Sequence, residues 1–80
     1  MPTPVTSDDL RAFLHEELSI EDAFGDDDAL FSSGMLDSVA MMNLIAFLEE
    51  KTGSDVRPAD VTLDNFDTLT RIISYAATLD

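Results

Sequence analysis

An all-α fold is expected of this chain, a small four-helix bundle with three main helices and a short third one. Three observations carry that expectation. Apolar residues recur at helical spacing in three stretches, capping signals stand at their ends, and nothing alternates for long enough to make a strand. Eighty residues suffice for a single domain spanning residues 1–80. A chain this short buries only about 60% of the surface its unfolded form exposes, so the core is small. With no cysteine there is no disulfide framework and no thiolate metal site, and packing alone must hold the fold.

Helix one is expected to begin at Thr6-Ser7-Asp8-Asp9, where a hydroxyl can cap and acids sit at the positive end of the helix dipole. Leu10, Phe13, Leu14 and Leu18 then make one apolar stripe ending near Leu18. From Ser19 to Asp37 the period is lost. Acids cluster at Glu21, Asp22, Asp26, Asp27 and Asp28 around Gly25, and the segment reads as a long loop pinned by Phe24, Leu30, Phe31 and Leu36. Asp26-Asp27-Asp28-Ala29-Leu30 lacks the alternate acids of a calcium-binding EF-hand loop.

Helix two is expected from Ser38 to Lys51 or Thr52, with Gly53 placed to end it. Nine of the ten residues from Val39 to Leu48 are apolar, more than one amphipathic face requires. Met41, Leu44, Ile45 and Leu48 form a stripe for burial. Val39, Met42 and Ala46 lie on another face that continues toward Glu49 and Glu50. That second face either meets a partner or lies under the long loop, and periodicity alone does not choose between the two. Arg57-Pro58-Ala59-Asp60-Val61 suggests the short third helix or a turn. After Leu63-Asp64-Asn65-Phe66, Asp67 is expected to cap a final helix with Leu69, Ile72, Ile73 and Ala76 inward and Tyr75 at the margin.

Seventeen acidic residues against four basic ones give a net charge of -13. Such a charge repels phosphate backbones and anionic lipid, so neither nucleic acid nor a membrane surface is an expected partner. It attracts basic protein patches, and it keeps the chain soluble. No apolar run reaches the roughly 20 residues of a membrane span, and Met1-Pro2-Thr3-Pro4 lacks the regions of a signal peptide, so a cytoplasmic monomer is expected.

Enzyme chemistry finds few candidates. His15 is the one histidine; with Ser38 it would make a minimal hydrolase only if the two met and an acid oriented the ring. No glycine-rich phosphate loop is present. What stands out is a serine at a helix start, Ser38 after Asp37, which could also be no more than an N-cap. Its setting adds to it: a long loop tethered by Leu30-Phe31, a Gly34 turn, Leu36 as an anchor, then a helix with two apolar faces.

The segment Leu30-Phe31-Ser32-Ser33-Gly34-Met35-Leu36-Asp37-Ser38 resembles the stretch that receives 4′-phosphopantetheine in the acyl and peptidyl carrier protein family. The likeness extends over nearly the whole chain: first helix, long loop, modified serine opening helix two, short third helix, closing helix. It implies an acyl-carrier-protein-like bundle that holds cargo as a thioester and is not an enzyme. Ser38 would bear the arm, and Asp37 would help a phosphopantetheinyl transferase position its metal and coenzyme A. Val39, Met42, Ala46, Glu49 and Glu50 would meet partners: a loading ligase, an acyltransferase or a synthase with a basic and apolar docking patch. Fatty-acid carriers usually read Asp-Ser-Leu with more acids early in helix two, where Val39, Ala40 and Asn43 stand here. The two glycines usual before the serine in large synthetases are absent as well. The form is closer to free-standing carriers of polyketide, nonribosomal peptide or aminoacyl pathways, a match to which Leu63-Asp64-Asn65-Phe66-Asp67 adds. The alternative is an unmodified acidic adaptor that binds a partner through helix two.

Overall fold

The computed structural model describes residues 5–20 and 24–79. Four α-helices and one 3₁₀ turn follow in order: α1 (Ser7–Glu17), α2 (Ser38–Thr52), the turn at Pro58–Asp60, α3 (Leu63–Phe66) and α4 (Leu69–Ala77). Among the described residues there is no strand, as the lack of alternation implies. None of the helices is long and apolar enough to cross a membrane.

α1 starts where its hydroxyl and acids place it. Thr6 Oγ1 accepts from the Asp9 amide at 3.1 Å while Asp9 Oδ2 accepts from the Thr6 amide at 3.2 Å, a reciprocal capping box. Leu10 and Leu14 are fully buried, and Phe13 and Leu18 pack at the edge of the core. The helix ends as Ser19 adopts φ 56°, which lets the Ile20 amide reach the Leu14 carbonyl at 3.0 Å.

In α2 the buried row is Ala40, Leu44, Leu48 and Thr52, at intervals of four. Met41 and Ile45, expected inside, are only half-buried. The helix lies at the margin of a small core and buries a narrow stripe, so the neighbours of that stripe stay partly wet. Gly53 closes the helix at φ 72°, donating to the Glu49 carbonyl at 2.9 Å.

At Arg57–Val61, where a short helix or a turn is expected, it is the turn that forms. Pro58–Asp60 makes only a 3₁₀ turn, and the short α-helix is α3, where Phe66 is fully buried. A proline at the first position suits either helix type, which is why that signal does not separate them. α4 packs against both α1 and α3. It buries Leu69, Ile72, Tyr75 and Ala76, with Ile73 half-buried. Its N-cap is Thr68, whose hydroxyl accepts from the Arg71 amide at 3.1 Å, and not Asp67. Tyr75 also departs from expectation: it is buried, with its ring 5.3 Å from Phe66 and its hydroxyl donating to Asp60 Oδ2 at 2.9 Å. Burial, and then the Asp60 carboxylate, push the Tyr75 hydroxyl above its ordinary pKa.

Candidate functional site

The approach to Ser38 is built by the second half of the long loop, and one side chain organises it. Asp67, freed from capping α4, turns its carboxylate onto the loop. Oδ1 accepts from the amides of Phe31 at 2.8 Å and Ser32 at 2.9 Å, and Oδ2 accepts from the Ser32 hydroxyl at 2.7 Å. The Asp67 carbonyl takes the Leu30 amide at 2.7 Å. A carboxylate gathering several donors is held in its charged form, and the Ser32 amide is the largest cause of a pKa below the ordinary carboxylate value, against the opposing effect of burial.

Leu30 and Leu36, both buried, anchor the two ends of a short loop closed by the Leu36 amide donating to the Leu30 carbonyl at 2.9 Å. Between them the chain must reverse. Gly34 does this at φ 85°, in the region where a β-carbon is unfavourable, and its amide donates to the Phe31 carbonyl at 3.1 Å. Phe24 and Phe31 are half-buried pins, as expected. Arg11 ties the first half of the loop to α1. Its guanidinium donates to the Phe24 carbonyl at 2.7 Å, lies 5.0 Å from the Phe24 ring centroid and pairs with Asp26. Thr70 in α4 takes the Asp26 carbonyl from the other side, amide to oxygen at 3.0 Å. Of the loop acids, Glu21 and Asp22 lie outside the described residues. Among the described ones no cluster of acids or histidine could hold a metal ion.

With the loop so fixed, Asp37 and Ser38 arrive at the start of α2. Asp37 is the N-cap, its Oδ1 accepting from the Ala40 amide at 2.9 Å. The capping role that could have accounted for Ser38 is therefore taken by its neighbour. Ser38 is the first helical residue and is exposed. The serines around it differ. Ser32 Oγ is committed to Asp67, and Ser33 Oγ donates to the Ala29 carbonyl at 2.7 Å, whereas the Ser38 hydroxyl has no hydrogen-bond partner among the described residues.

Beside Ser38 the second apolar face of α2 is open. Val39 is 63% exposed and Met42 70%, so the described part of the loop does not fold over them. Ala46 and Glu50 are exposed further along, where they border α1. Glu49 is half-buried, with one carboxylate oxygen accepting from the Val56 amide at 2.9 Å. His15 is exposed in the last turn of α1, and among the described residues no carboxylate lies within ion-pair distance of it.

The organising residue that sequence reasoning missed is Asp67. Its loop partners lie 35 and 36 residues away, and an acid ahead of a threonine and an apolar run has the look of an ordinary cap.

A family model described as the phosphopantetheine attachment site matches residues 8–76. No curated protein and no solved structure matches the chain. The matched span runs from the first turn of α1 to the last turn of α4, taking in the loop, Asp67 and the start of α2. The chain belongs to the phosphopantetheine attachment site family, and it is a carrier of covalently attached 4′-phosphopantetheine, served by a phosphopantetheinyl transferase and biosynthetic enzymes, rather than an enzyme itself.

Proposed function

We propose that Ser38 is the residue that bears the arm, through a phosphodiester to its Oγ. On that arm the chain shuttles an acyl or aminoacyl group between the enzymes of a polyketide, nonribosomal peptide or related pathway. The carrying observation is the contrast among neighbouring hydroxyls: Ser38 Oγ is exposed and uncommitted, while those of Ser32 and Ser33 are tied into the loop.

The residues around Ser38 fit such a group. Cargo held as a thioester needs a thiol, the chain has no cysteine, and the arm supplies one when bound. Asp37 keeps the first turn closed by capping Ala40, so the serine is presented on a formed helix and not on a flexible loop. Next to Ser38 in sequence, Asp37 would also assist the transferase with its metal and coenzyme A, as the family resemblance implies. No base is needed in this chain, because the transferase must itself take the hydroxyl proton.

Val39 and Met42, one and four residues beyond Ser38, supply an apolar contact for whichever enzyme works on the cargo. Ala46 and Glu50 extend that contact. Glu49 adds less, because the Val56 amide already engages its carboxylate. The net charge of -13 favours partners with basic patches and disfavours association between copies, which supports a monomeric carrier.

The test is to incubate the purified chain with coenzyme A and a broad-specificity phosphopantetheinyl transferase and to read the intact mass. A phosphopantetheine adduct on the wild type that is missing from Ser38→Ala is expected. No adduct, under conditions that modify a control carrier, would leave the unmodified adaptor that docks through Val39 and Met42.

A further inference from the structure

A groove of about 500 Å³ runs between α1 and α2, on the side of α2 that turns toward α1. Its floor is aromatic: the rings of Phe13 and Phe47 stack with centroids 4.5 Å apart and an interplanar angle of 27°. Both rings are only half-buried, so they present a surface and do not simply fill the core. Ala12 on α1 and Ala46 on α2, both exposed and small, leave the groove open above them.

The walls are acidic. Glu16 and Glu17 rise from the α1 side and Glu50 from α2, with Asp9 at the far end. Among the described residues the one cation lining the groove is Lys51, its Nζ 5.8 Å from the Phe47 ring centroid, bordering the aromatic floor. An aromatic platform walled by carboxylates is complementary to an apolar side chain flanked by cations. It repels nucleic acid and anionic lipid, and a second copy of this chain would bring a further charge of -13 against it.

We propose that the α1–α2 groove is a docking site for a basic amphipathic helix of a partner protein, with an apolar side chain seated over Phe13 and Phe47 and lysines or arginines facing Glu16, Glu17 and Glu50. The inference rests on the carrier reading for the identity of that protein, one of the enzymes that load or use the cargo. It moves part of the recognition surface from the Val39–Met42 face onto α1. Ala46 and Glu50, expected to act with Val39 and Met42, form the ridge between the two surfaces.

The test is titration of the full chain with a short synthetic helical peptide of lysine, alanine and leucine, followed by backbone amide chemical shifts. The largest shifts are expected at Ala12, Phe13, Ala46 and Phe47. Glu16→Lys combined with Glu17→Lys should weaken binding about ten-fold, and so should a peptide of equal charge with serine in place of leucine. The two lysines fall in the last turn of α1, where the helix dipole favours cations, so the variant should fold. Equal affinity for the serine peptide, shifts centred on Val39 and Met42, or groove shifts produced by attachment of the arm alone would each overturn the proposal. Arm transfer from coenzyme A, read by mass on the same samples, keeps the two readings apart. Mass gain without groove binding sinks only the groove, and groove binding without mass gain sinks the carrier reading and leaves the groove.

Discussion

The loop leading into α2 and the outward face of α2 are a few residues apart and are built on opposite plans. From Leu30 to Leu36 the backbone is held from both sides: buried leucines at each end, the Asp67 carboxylate under Phe31 and Ser32, and a glycine turn between. From Ser38 onward the outer side chains are held by nothing, with Val39 and Met42 mostly in water and the Ser38 hydroxyl without a partner among the described residues. The difference separates two requirements. If Ser38 bears the arm, it must be in a reproducible place, which needs a fixed backbone, yet be reachable by several enzymes, which needs an uncovered helix face.

If that division holds, substitutions on the two sides should fail in different ways. The largest effect on stability belongs to Asp67→Ala, which removes the acceptor of three part-buried donors, the Phe31 and Ser32 amides and the Ser32 hydroxyl. A loss of about 3 kcal/mol is expected, from hydrogen bonds to a charged group and the donors left unpaired, and a urea titration would read it as a lowered midpoint. Amide exchange at Phe31 and Ser32 should quicken in the same variant. Retained exchange protection at those two amides would show that the buried leucines alone hold the loop.

The pH dependence sharpens the same point. Because the folded state holds the Asp67 carboxyl below its ordinary value of 3.8, the stability it contributes is fully present above that value and is lost as pH falls through the lower folded value. Acid also relieves the repulsion of seventeen carboxyl groups, so the comparison must be differential. The gap in urea midpoint between wild type and Asp67→Asn should be constant near neutrality and narrow below about pH 4. A gap that persists unchanged to pH 2 would mean that the charge of Asp67 is not what the loop uses.

Gly34→Ala comes next. Its positive φ costs a β-carbon about 1 kcal/mol, although no atom stands where the methyl would go. The expected loss is therefore conformational, seen as a small drop in midpoint with transfer to Ser38 slowed and not abolished. The smallest effect on stability is expected for Met42→Ser and Val39→Ser, within about 0.5 kcal/mol for side chains this exposed. Loading by the cognate enzyme, by contrast, should fall. A variant that folds normally and loads normally would remove the apolar face from partner recognition.

Much of this division is legible in the amino-acid order, because its signals are local. The capping hydroxyl and acids at Thr6-Ser7-Asp8-Asp9, the glycine after Thr52 and the three-and-four spacing of apolar residues mark α1, α2 and α4 within a turn or less. Asp37-Ser38 at a helix start after a glycine turn marks the proposed site. What escapes is set by distance along the chain or by brevity. α3 spans four residues and has no period to detect, and Asp67 answers to amides 35 and 36 residues earlier. Tyr75 lies at the edge of its helical stripe but is drawn inside by Asp60, a partner that helical spacing does not reveal. The freedom of the Ser38 hydroxyl is likewise invisible until its neighbours' hydrogen bonds are known.

The most direct measurement follows from those hydroxyls. Fragment-ion mass spectrometry of the chain after treatment with coenzyme A and transferase locates the added mass among Ser32, Ser33 and Ser38. The account predicts that all of it sits on Ser38, the serine whose hydroxyl the fold leaves free. Mass on Ser32 or Ser33, whose hydroxyls are bound to Asp67 and Ala29, would contradict it.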